Sequence, residues 1–259
     1  LSQLSPMMQH YMETKKEYPD CVLFYRLGDF YEMFFDDALT VSKELEITLT
    51  GKDCGLSERA PMCGVPFHAV DSYLYRLVQK GYKVAIAEQM EDPKQAKGLV
   101  KREVIRVVTP GTITSSQVLD ETKNNYLMGI VYMDGIYGIS TADISTGDFM
   151  VTEVDSEREL FDEINKFSPS EIICNNALYM SGVDMDELKN RYQVVITALD
   201  SRFFGEESCR RILMEHFKVG ALVGLGLEDY ATGIIAAGAV MQYIYETQKS
   251  TLEHITTCL

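Results

Sequence analysis

The segment CVLFYRLGDFYEMFF occupies residues 21–35 and joins two apolar runs through one turn signal. Gly28 and Asp29 separate the run VLFY from the run FYEMFF, which predicts two antiparallel strands in a β-hairpin. Successive side chains of a strand point to opposite faces of its sheet. The second run is therefore expected to place Phe30 and Glu32 on one face and the side chains between them on the other.

The segments on either side of this hairpin predict an α/β domain. Ser5 as a cap and Pro6 as the first helical residue predict a helix before it. Asp36 is expected to cap a helix after the hairpin, and Asp71 is expected to cap a later one. Residues 50–61 contain glycine, aspartate, serine and proline, and they predict a loop. Two more strand-like runs follow, and such alternation of strands and helices indicates a mixed or parallel sheet.

The second half of the chain predicts a different sheet. Residues 110–125 are rich in Thr, Ser, Asn and Gly, which indicates a linker. Three strand-like runs then lie close together between residues 126 and 154 and predict an antiparallel meander. Helices and strands alternate after it, and this order is typical of a ribonuclease-H-like sheet. The sequence therefore predicts two α/β domains.

Charge limits the classes of protein that the chain can belong to. Its 259 residues are 46% hydrophobic and can form a core, but the net charge of −15 excludes a globally basic nucleic-acid-binding protein. Residues 1–116 carry 14 basic and 16 acidic side chains, whereas residues 117–259 carry 10 and 23. The two halves are therefore expected to meet different partners.

Other composition features exclude several kinds of site. Six cysteines without paired spacing indicate reduced thiols in a cytoplasmic protein, and neither a disulfide framework nor a zinc site is expected. No apolar run reaches the length of about 20 residues that crosses a membrane. The chain has no phosphate-binding glycine loop, and none of its four histidines lies in a nucleophile motif.

Three functions remain open from the residues alone. Asp143 and Asp148 lie in or next to the predicted meander, where a ribonuclease-H-like fold could hold Mg²⁺ for a nuclease reaction. Aspartate is also common in turns, which favours a scaffold without catalysis. The acidic second half would suit a protein-interaction module, and the first half would suit nucleic acid through a local basic patch.

The candidate binding residues also allow two interpretations. An aromatic side chain with a carboxylate two positions later, beside a glycine turn, is an unusual surface pair that would suit a binding role for Phe30 and Glu32. The pattern alone favours the opposite interpretation, in which Phe30 is a core residue and Glu32 a solvated charge. The basic cluster between residues 94 and 106 is either solvated surface or a contact for phosphates.

Several segments resemble the MutS family of DNA mismatch repair proteins. The matching segments in the first half are SPMMQ at 5–9, FYRLGDFYE at 24–32, PMCGVPFHAV at 61–70, VAIAEQ at 84–89 and VVTPGT at 107–112. Leu27 is a mild departure, since methionine is also common there in the family. The resemblance implies a mismatch-recognition domain at residues 1–114, a linker at 115–124, a ribonuclease-H-like connector domain at 125–245, which carries DISTG at 143–147, and the start of the core domain at 246–259.

The resemblance implies a mechanism for recognising mispaired and unpaired bases. Phe30 and Glu32 match the family's Phe-x-Glu motif, in which the aromatic ring enters the minor groove and stacks on the disturbed base. Glu32 would hydrogen-bond the displaced base, either as a carboxylate that accepts from a pyrimidine imino group or as a protonated acid that donates to a purine ring nitrogen. On an intact duplex it would meet only the repulsion of the phosphates. Weaker candidates for contacts with the DNA backbone are Arg26, Pro66, Phe67, His68, Arg76, Lys97, Lys101, Arg102 and Arg106.

The resemblance also implies partners. Double-stranded DNA with mismatches or small loops would bind the first domain, MutL would bind the connector, and a full-length protein would form a homodimer. The chain is not expected to be an enzyme or to hold a cofactor or metal, because ATP and Mg²⁺ would bind family domains that these residues do not include. The connector is expected to relay the ATP state, and the protein is expected in the cytoplasm, associated with the nucleoid.

Overall fold

The computed structural model describes residues 3–114 and 123–248, and it divides into two compact units, Leu1–Thr109 and Pro110–Leu259. Each unit is built on its own mixed sheet with helices packed on it. The prediction of two α/β domains is confirmed. The predicted linker at 115–124 lies mostly outside the described residues, as does most of the tail at 246–259.

The secondary structure follows the predicted order in both units, except that β3 lies in the predicted loop at 50–61. The helices are α1 (Pro6–Glu17), α2 (Phe35–Leu45), α3 (Val70–Gln79), α4 (Glu157–Phe167), α5 (Met185–Tyr192), α6 (Glu206–Phe217) and α7 (Ala231–Gln248). The strands of the first unit are β1 (Val22–Leu27), β2 (Phe30–Phe34), β3 (Thr50–Lys52), β4 (Ala60–Pro66), β5 (Val84–Gln89) and β6 (Arg102–Val108). Those of the second unit are β7 (Leu127–Met133), β8 (Ile136–Asp143), β9 (Asp148–Val154), β10 (Glu171–Cys174) and β11 (Val195–Ala198).

The first sheet has the strand order β3-β4-β2-β1-β5-β6, with β1 and β5 parallel and the other pairs antiparallel. Helix α1 covers part of one face, where Met8 and Tyr11 pack with Tyr25 and Phe34. Helices α2 and α3 cover the other face, and the thiol of Cys63 on β4 donates a hydrogen bond towards α2. The end of the sheet at the β1–β2 turn lies beyond these α1 contacts.

Three local predictions in this unit were wrong. Asp36 does not cap α2, because the helix begins at Phe35 without a side-chain cap, and α3 likewise begins at Val70 without one from Asp71. The predicted loop at 50–61 contains β3 and begins β4, which pair antiparallel with each other. This pairing brings β3 into the sheet next to the hairpin and places Lys52 on the same face as Phe34.

The buried carboxylate of Asp37, the residue after Asp36, joins three elements of the first unit. Asp37 of α2 accepts a hydrogen bond of 2.9 Å from the backbone N–H of Leu23 on β1. Its carboxylate also pairs with Lys15 of α1 at 2.9 Å. A hydrogen-bonded ion pair can occupy such a buried position because its charges are compensated. Asp37 therefore fixes α1 and α2 against the strand that leads into the hairpin.

The second sheet has the order β11-β10-β7-β8-β9, with β7, β8 and β9 antiparallel and β10 and β11 parallel to β7. Helix α7 packs on one face, where Ile234 and Val240 join Leu127 of β7. Helices α4 and α5 cover the other face, through Leu160 and Leu188. Strand order and directions agree with the predicted ribonuclease-H-like arrangement.

The segment that follows Thr109 belongs to the second unit. The carboxylate of Glu171, which is fully buried, accepts the backbone N–H of Gly111 at 2.9 Å and the hydroxyl of Tyr243 at 2.5 Å. The amide of Asn125 donates to the carbonyl of Pro110 at 2.9 Å. The boundary between the two units therefore lies after Thr109, five residues before residue 114, the predicted end of the first domain.

Within residues 3–114 and 123–248, no helix is both long and apolar enough to cross a membrane. The five cysteines of these ranges are buried free thiols. Burial raises the pKa of Cys63, Cys174 and Cys209 to about 12 in each case, which keeps these thiols protonated at neutral pH.

Candidate nucleic-acid interface

The candidate interface is built on the turn between β1 and β2. Gly28 has a φ of +60°, a conformation that glycine adopts without steric cost. Leu27 and Phe30 pair across this turn, so Phe30 is the first residue of the returning strand. The carbonyl of Asp29 accepts a hydrogen bond of 2.7 Å from the backbone N–H of Phe67, which ties the turn to the end of β4. The turn therefore holds Phe30 at a fixed place at the end of the sheet.

Phe30 is a surface residue. It is 47% exposed, whereas Phe34, on the same face of the same strand, is 1% exposed. The ring of Tyr11 from α1 covers Phe34 edge-on, with 4.9 Å between the ring centroids. The core assignment of Phe30 that the pattern alone favoured is therefore wrong. The difference between the two rings arises because α1 covers only part of this face.

Glu32 lies beside Phe30 and is ion-paired rather than freely solvated. Its Oε2 is 3.1 Å from Nζ of Lys52 on β3, and its side chain is 16% exposed. Gly64 of β4 pairs directly with Glu32. A Cβ added at Gly64 would lie 3.5 Å from Cγ of Glu32 and 3.8 Å from Cδ1 of Phe30. The glycine therefore leaves a gap next to both side chains that a methyl group would fill in van der Waals contact.

The opposite face of the hairpin end carries a second cluster. Arg26 pairs with Glu88 at 2.9 Å, and its guanidinium lies 3.6 Å from the centroid of the Phe67 ring. The hydroxyl of Tyr31 also hydrogen-bonds to Glu88. Burial and this carboxylate raise the pKa of Tyr31. Register places Arg26 opposite Tyr31 and Phe30 opposite Pro66, so Arg26 and Phe30 lie on opposite faces at the same end of the sheet.

Two of the predicted phosphate-binding arginines are largely enclosed. Arg102 is 6% exposed, and its guanidinium donates to the carbonyl oxygens of Arg26 at 2.6 Å and Val100 at 2.9 Å. The structure thus places Arg102 in the framework of the hairpin, away from a surface that could meet a phosphate. Nε of Arg106 is buried and has no hydrogen-bond partner among the described residues. Burial lowers the pKa of Arg106, and the carboxylate of Asp71 opposes this effect.

The remaining predicted backbone contacts are on the surface or near it. His68 and Lys97 are exposed, and Pro66 is half-buried. Lys101 is exposed and pairs with Glu103 at 3.0 Å. Arg76 is exposed and donates to the carbonyl of Leu45 at 3.2 Å, at the C-terminal end of α2. These positions leave His68, Lys97 and Lys101 available to a polyanion, and Arg76 partly so.

The aspartates that suggested a nuclease have structural contacts. Asp143 is 1% exposed, and its carboxylate accepts the backbone N–H groups of Asn125, Ser145 and Thr146. Asp148 lies opposite Asp143 in the register of β8 and β9, at the end next to their turn. Among the residues that the structure describes, no group of three metal-binding side chains is present. The contacts of Asp143 are those of a turn-stabilising residue.

Three residues of the candidate interface were not predicted from the sequence, namely Lys52, Gly64 and Glu88. Gly64 and Glu88 lay within quoted segments but had no assigned role. Lys52 lay in the predicted loop, where its charge gave no signal. All three reach the hairpin through strand pairing, which brings β3, β4 and β5 to β1 and β2.

Comparison with known proteins matches both units to one family. The sequence profile of MutS domain I matches residues 5–117, and that of MutS domain II matches residues 125–256. The chain belongs to the MutS family. It is 60% identical to the DNA mismatch repair protein MutS of Lachnoclostridium phytofermentans over 256 residues, and 53% identical to that of Acetivibrio thermocellus over 258 residues.

These alignments cover 99% and 98% of this chain but 28% and 29% of the two relatives. The chain therefore spans less than a third of the length of the MutS relatives it matches. The two family domains agree in order with the two units of the structure.

Proposed function

We propose that this chain recognises mispaired and unpaired bases in duplex DNA, as the sensing part of a full-length protein in DNA mismatch repair. The observation that carries the proposal is the exposure of Phe30 at the hairpin turn, next to the carboxylate of Glu32 and the space left by Gly64. The ring stands where a flat aromatic group can enter a groove and stack on a base. Membership of the MutS family supports the same conclusion.

The selectivity of such a ring comes from the DNA. Separating two stacked base pairs costs a few kcal/mol, and an intact duplex resists it. A mismatch or an extra base has already lost pairing and bends more easily, so the cost is lower there. Phe30 therefore needs no hydrogen-bond code to distinguish a damaged site from an intact one.

Glu32 adds discrimination through its charge. A carboxylate near the minor groove is repelled by the phosphates of any duplex. On a mismatch the displaced base supplies a donor that compensates this repulsion, whereas an intact duplex supplies none. Glu32 therefore weakens binding to intact DNA more than binding to a mismatch.

Substitution of Phe30 tests the proposal. In the full-length protein, Phe30→Ala is expected to lower the affinity for a G·T or single-T-insertion duplex about five- to 150-fold, because base stacking on an aromatic ring contributes roughly 1–3 kcal/mol. Affinity for the matched duplex should change little. Equilibrium binding to both duplexes measures the ratio.

Tyr179→Ala is the matched control, since Tyr179 is an aromatic residue of the second unit with 49% exposure. It should leave both affinities unchanged. If Phe30→Ala retains the wild-type ratio between the duplexes, Phe30 is not the sensing residue and the proposal fails.

For the second unit we propose a role as connector to other proteins. Residues 117–259 carry 10 basic and 23 acidic side chains, so DNA phosphates would be repelled. Such a surface suits a partner with a basic patch, and MutL is the partner that we propose. We also propose that the full-length protein forms a homodimer, and that the connector relays the state of an ATP- and Mg²⁺-binding domain outside these residues.

A further inference from the structure

We propose that Lys52 positions the carboxylate of Glu32 and thereby determines how strongly the surface around Phe30 distinguishes mismatched from intact DNA. The inference rests on the function proposed above. Lys52 comes from β3, twenty residues after Glu32 in the chain, and its Nζ lies 3.1 Å from Oε2 of Glu32. The side chains are 34% and 16% exposed, so the pair lies at the border between solvent and the covered part of the sheet.

The geometry leaves one oxygen of Glu32 available. Among the residues that the structure describes, Oε2 is bonded to Lys52 and Oε1 accepts no hydrogen bond. Nζ of Lys52 also lies 5.9 Å from the centroid of the Phe34 ring, within the range of a cation–π contact. The ammonium group is therefore held between a buried ring and the carboxylate. Gly64, which pairs with Glu32, adds no side chain next to it.

Two consequences follow when DNA approaches. The positive charge of Lys52 compensates part of the charge of Glu32, so the repulsion from phosphates is weaker on every duplex. The bond to Oε2 also restricts the rotation of the carboxylate and keeps Oε1 free for a base donor beside Phe30. An ammonium group can only donate hydrogen bonds, so Lys52 cannot replace Glu32 as the acceptor. Orientation therefore benefits mismatched DNA alone, and charge compensation benefits both duplexes.

Four full-length variants test this role, namely Lys52→Met, Lys52→Arg, Glu32→Ala and the double variant Lys52→Met/Glu32→Ala. Lys52→Met is expected to weaken binding to both duplexes and to reduce the ratio of mismatched to matched affinity by about two- to five-fold, the range of a partly exposed ion pair. Lys52→Arg should restore the ratio, because it restores the donor and the charge. In the Glu32→Ala background, Lys52→Met should leave the ratio unchanged, since no carboxylate remains to be positioned.

The competing explanation is a direct contact between Lys52 and a phosphate. It predicts that Lys52→Met weakens both duplexes by the same factor, with or without Glu32, and that the slope of log affinity against log salt falls by about one. That result would overturn the inference. Lys52→Gln, measured alongside, loses the charge but keeps an N–H donor, so it should weaken binding to both duplexes as Lys52→Met does and retain more of the ratio. Thermal melting of each variant checks that the fold is intact.

Phe30→Ala, measured in the same experiment, separates this inference from the proposed function. If Phe30→Ala abolishes discrimination and Lys52→Met leaves it unchanged, only the role of Lys52 is disproved. If Phe30→Ala also leaves discrimination unchanged, the proposed function is disproved and the role of Lys52 fails with it.

Discussion

Helices cover the strands of the two sheets to different extents. In the second sheet, every residue of β8 after Ile136 is buried, with helices packed on both faces. In the first sheet, β2 passes from 47% exposure at Phe30 to 1% at Phe34 on the same face. A helix along the whole strand stabilises the fold but leaves no aromatic ring free to meet a ligand. Under the proposed function, the uncovered strand end is the feature that allows the first unit to sense DNA while the second serves as a scaffold.

Close packing of α7 on the second sheet depends on two glycines, one in β7 and one in β8, because any side chain there would collide with the helix. A Cβ added at Gly138 would lie 2.4 Å from the carbonyl oxygen of Thr232 in α7, and one at Gly129 would lie 2.5 Å from a methyl of Val240. In the first sheet, the three groups nearest to a Cβ added at Gly64 belong to β2, at 3.3 Å or more. Glycine therefore allows close helix packing in one sheet, whereas at Gly64 it leaves a gap next to the side chains of β2.

The largest expected effect contrasts the two phenylalanines of β2. Phe34→Ala should lower the free energy of unfolding by about 3–5 kcal/mol, because it removes a buried ring and leaves a cavity. Phe30→Ala should change it by less than about 1 kcal/mol, since its ring is half exposed. Urea unfolding of the 259-residue chain measures both.

Similar losses for the two variants would contradict the difference in cover. Tyr11→Ala offers a further control, because it removes the ring that packs on Phe34 from α1. It should destabilise the chain as Phe34→Ala does, while Phe30 stays as exposed as before.

The sequence predicted most of the framework and part of the interface. Alternation and turn signals identified β1, β2 and the meander of the second unit, because each depends on neighbouring residues. The exposure of Phe30 could not be derived from periodicity, since it depends on where α1 ends its contacts with the sheet. The residue pattern marked Phe30 and Glu32 as an unusual pair, but only the resemblance to the MutS family favoured a binding role over a place in the core.

Two further differences between the expected and the observed surroundings of the hairpin have the same physical origin. The contact of Lys52 with Glu32 was not predicted, because it depends on the pairing of β3 with β4 and of β4 with β2. Arg102 was proposed for phosphate because of its charge, but its place at the start of β6 directs the guanidinium to the carbonyl of Arg26. Register between distant segments decides both cases, and a single sequence does not reveal that register.

A smaller effect is expected from filling the two kinds of glycine position. Gly138→Ala should destabilise the chain by roughly 1–3 kcal/mol, because the backbone of α7 must move away from the sheet. Gly64→Ala should cost less, since its Cβ would meet the carbonyl oxygen of Tyr31 at 3.3 Å and side-chain atoms at longer distances. The added methyl would fill the gap next to Phe30 and Glu32, so the mismatch preference of the full-length protein should fall several-fold.

Thermal melting of the chain and duplex binding by the full-length protein measure the two effects separately. The comparison of the sheets would be wrong if Gly64→Ala unfolded the chain as readily as Gly138→Ala. It would also be wrong if Gly64→Ala left mismatch preference untouched.

The smallest expected effect concerns charge on the second unit. Glu157 and Asp162 are exposed acids on α4, and reversing both to lysine should slow association of the full-length protein with MutL by about three- to ten-fold at low salt. Surface charges act mainly on the encounter of two proteins, so dissociation should change less, and the difference should shrink as salt screens the charges.

The matched control reverses Glu13 and Glu17, two exposed acids on α1 of the first unit, and should leave association with MutL unchanged. Surface-binding kinetics at two salt concentrations give both rates. Equal slowing by the two pairs would mean that net charge acts without regard to position, and the proposed division between a DNA-sensing unit and a protein-binding unit would then lose its electrostatic basis.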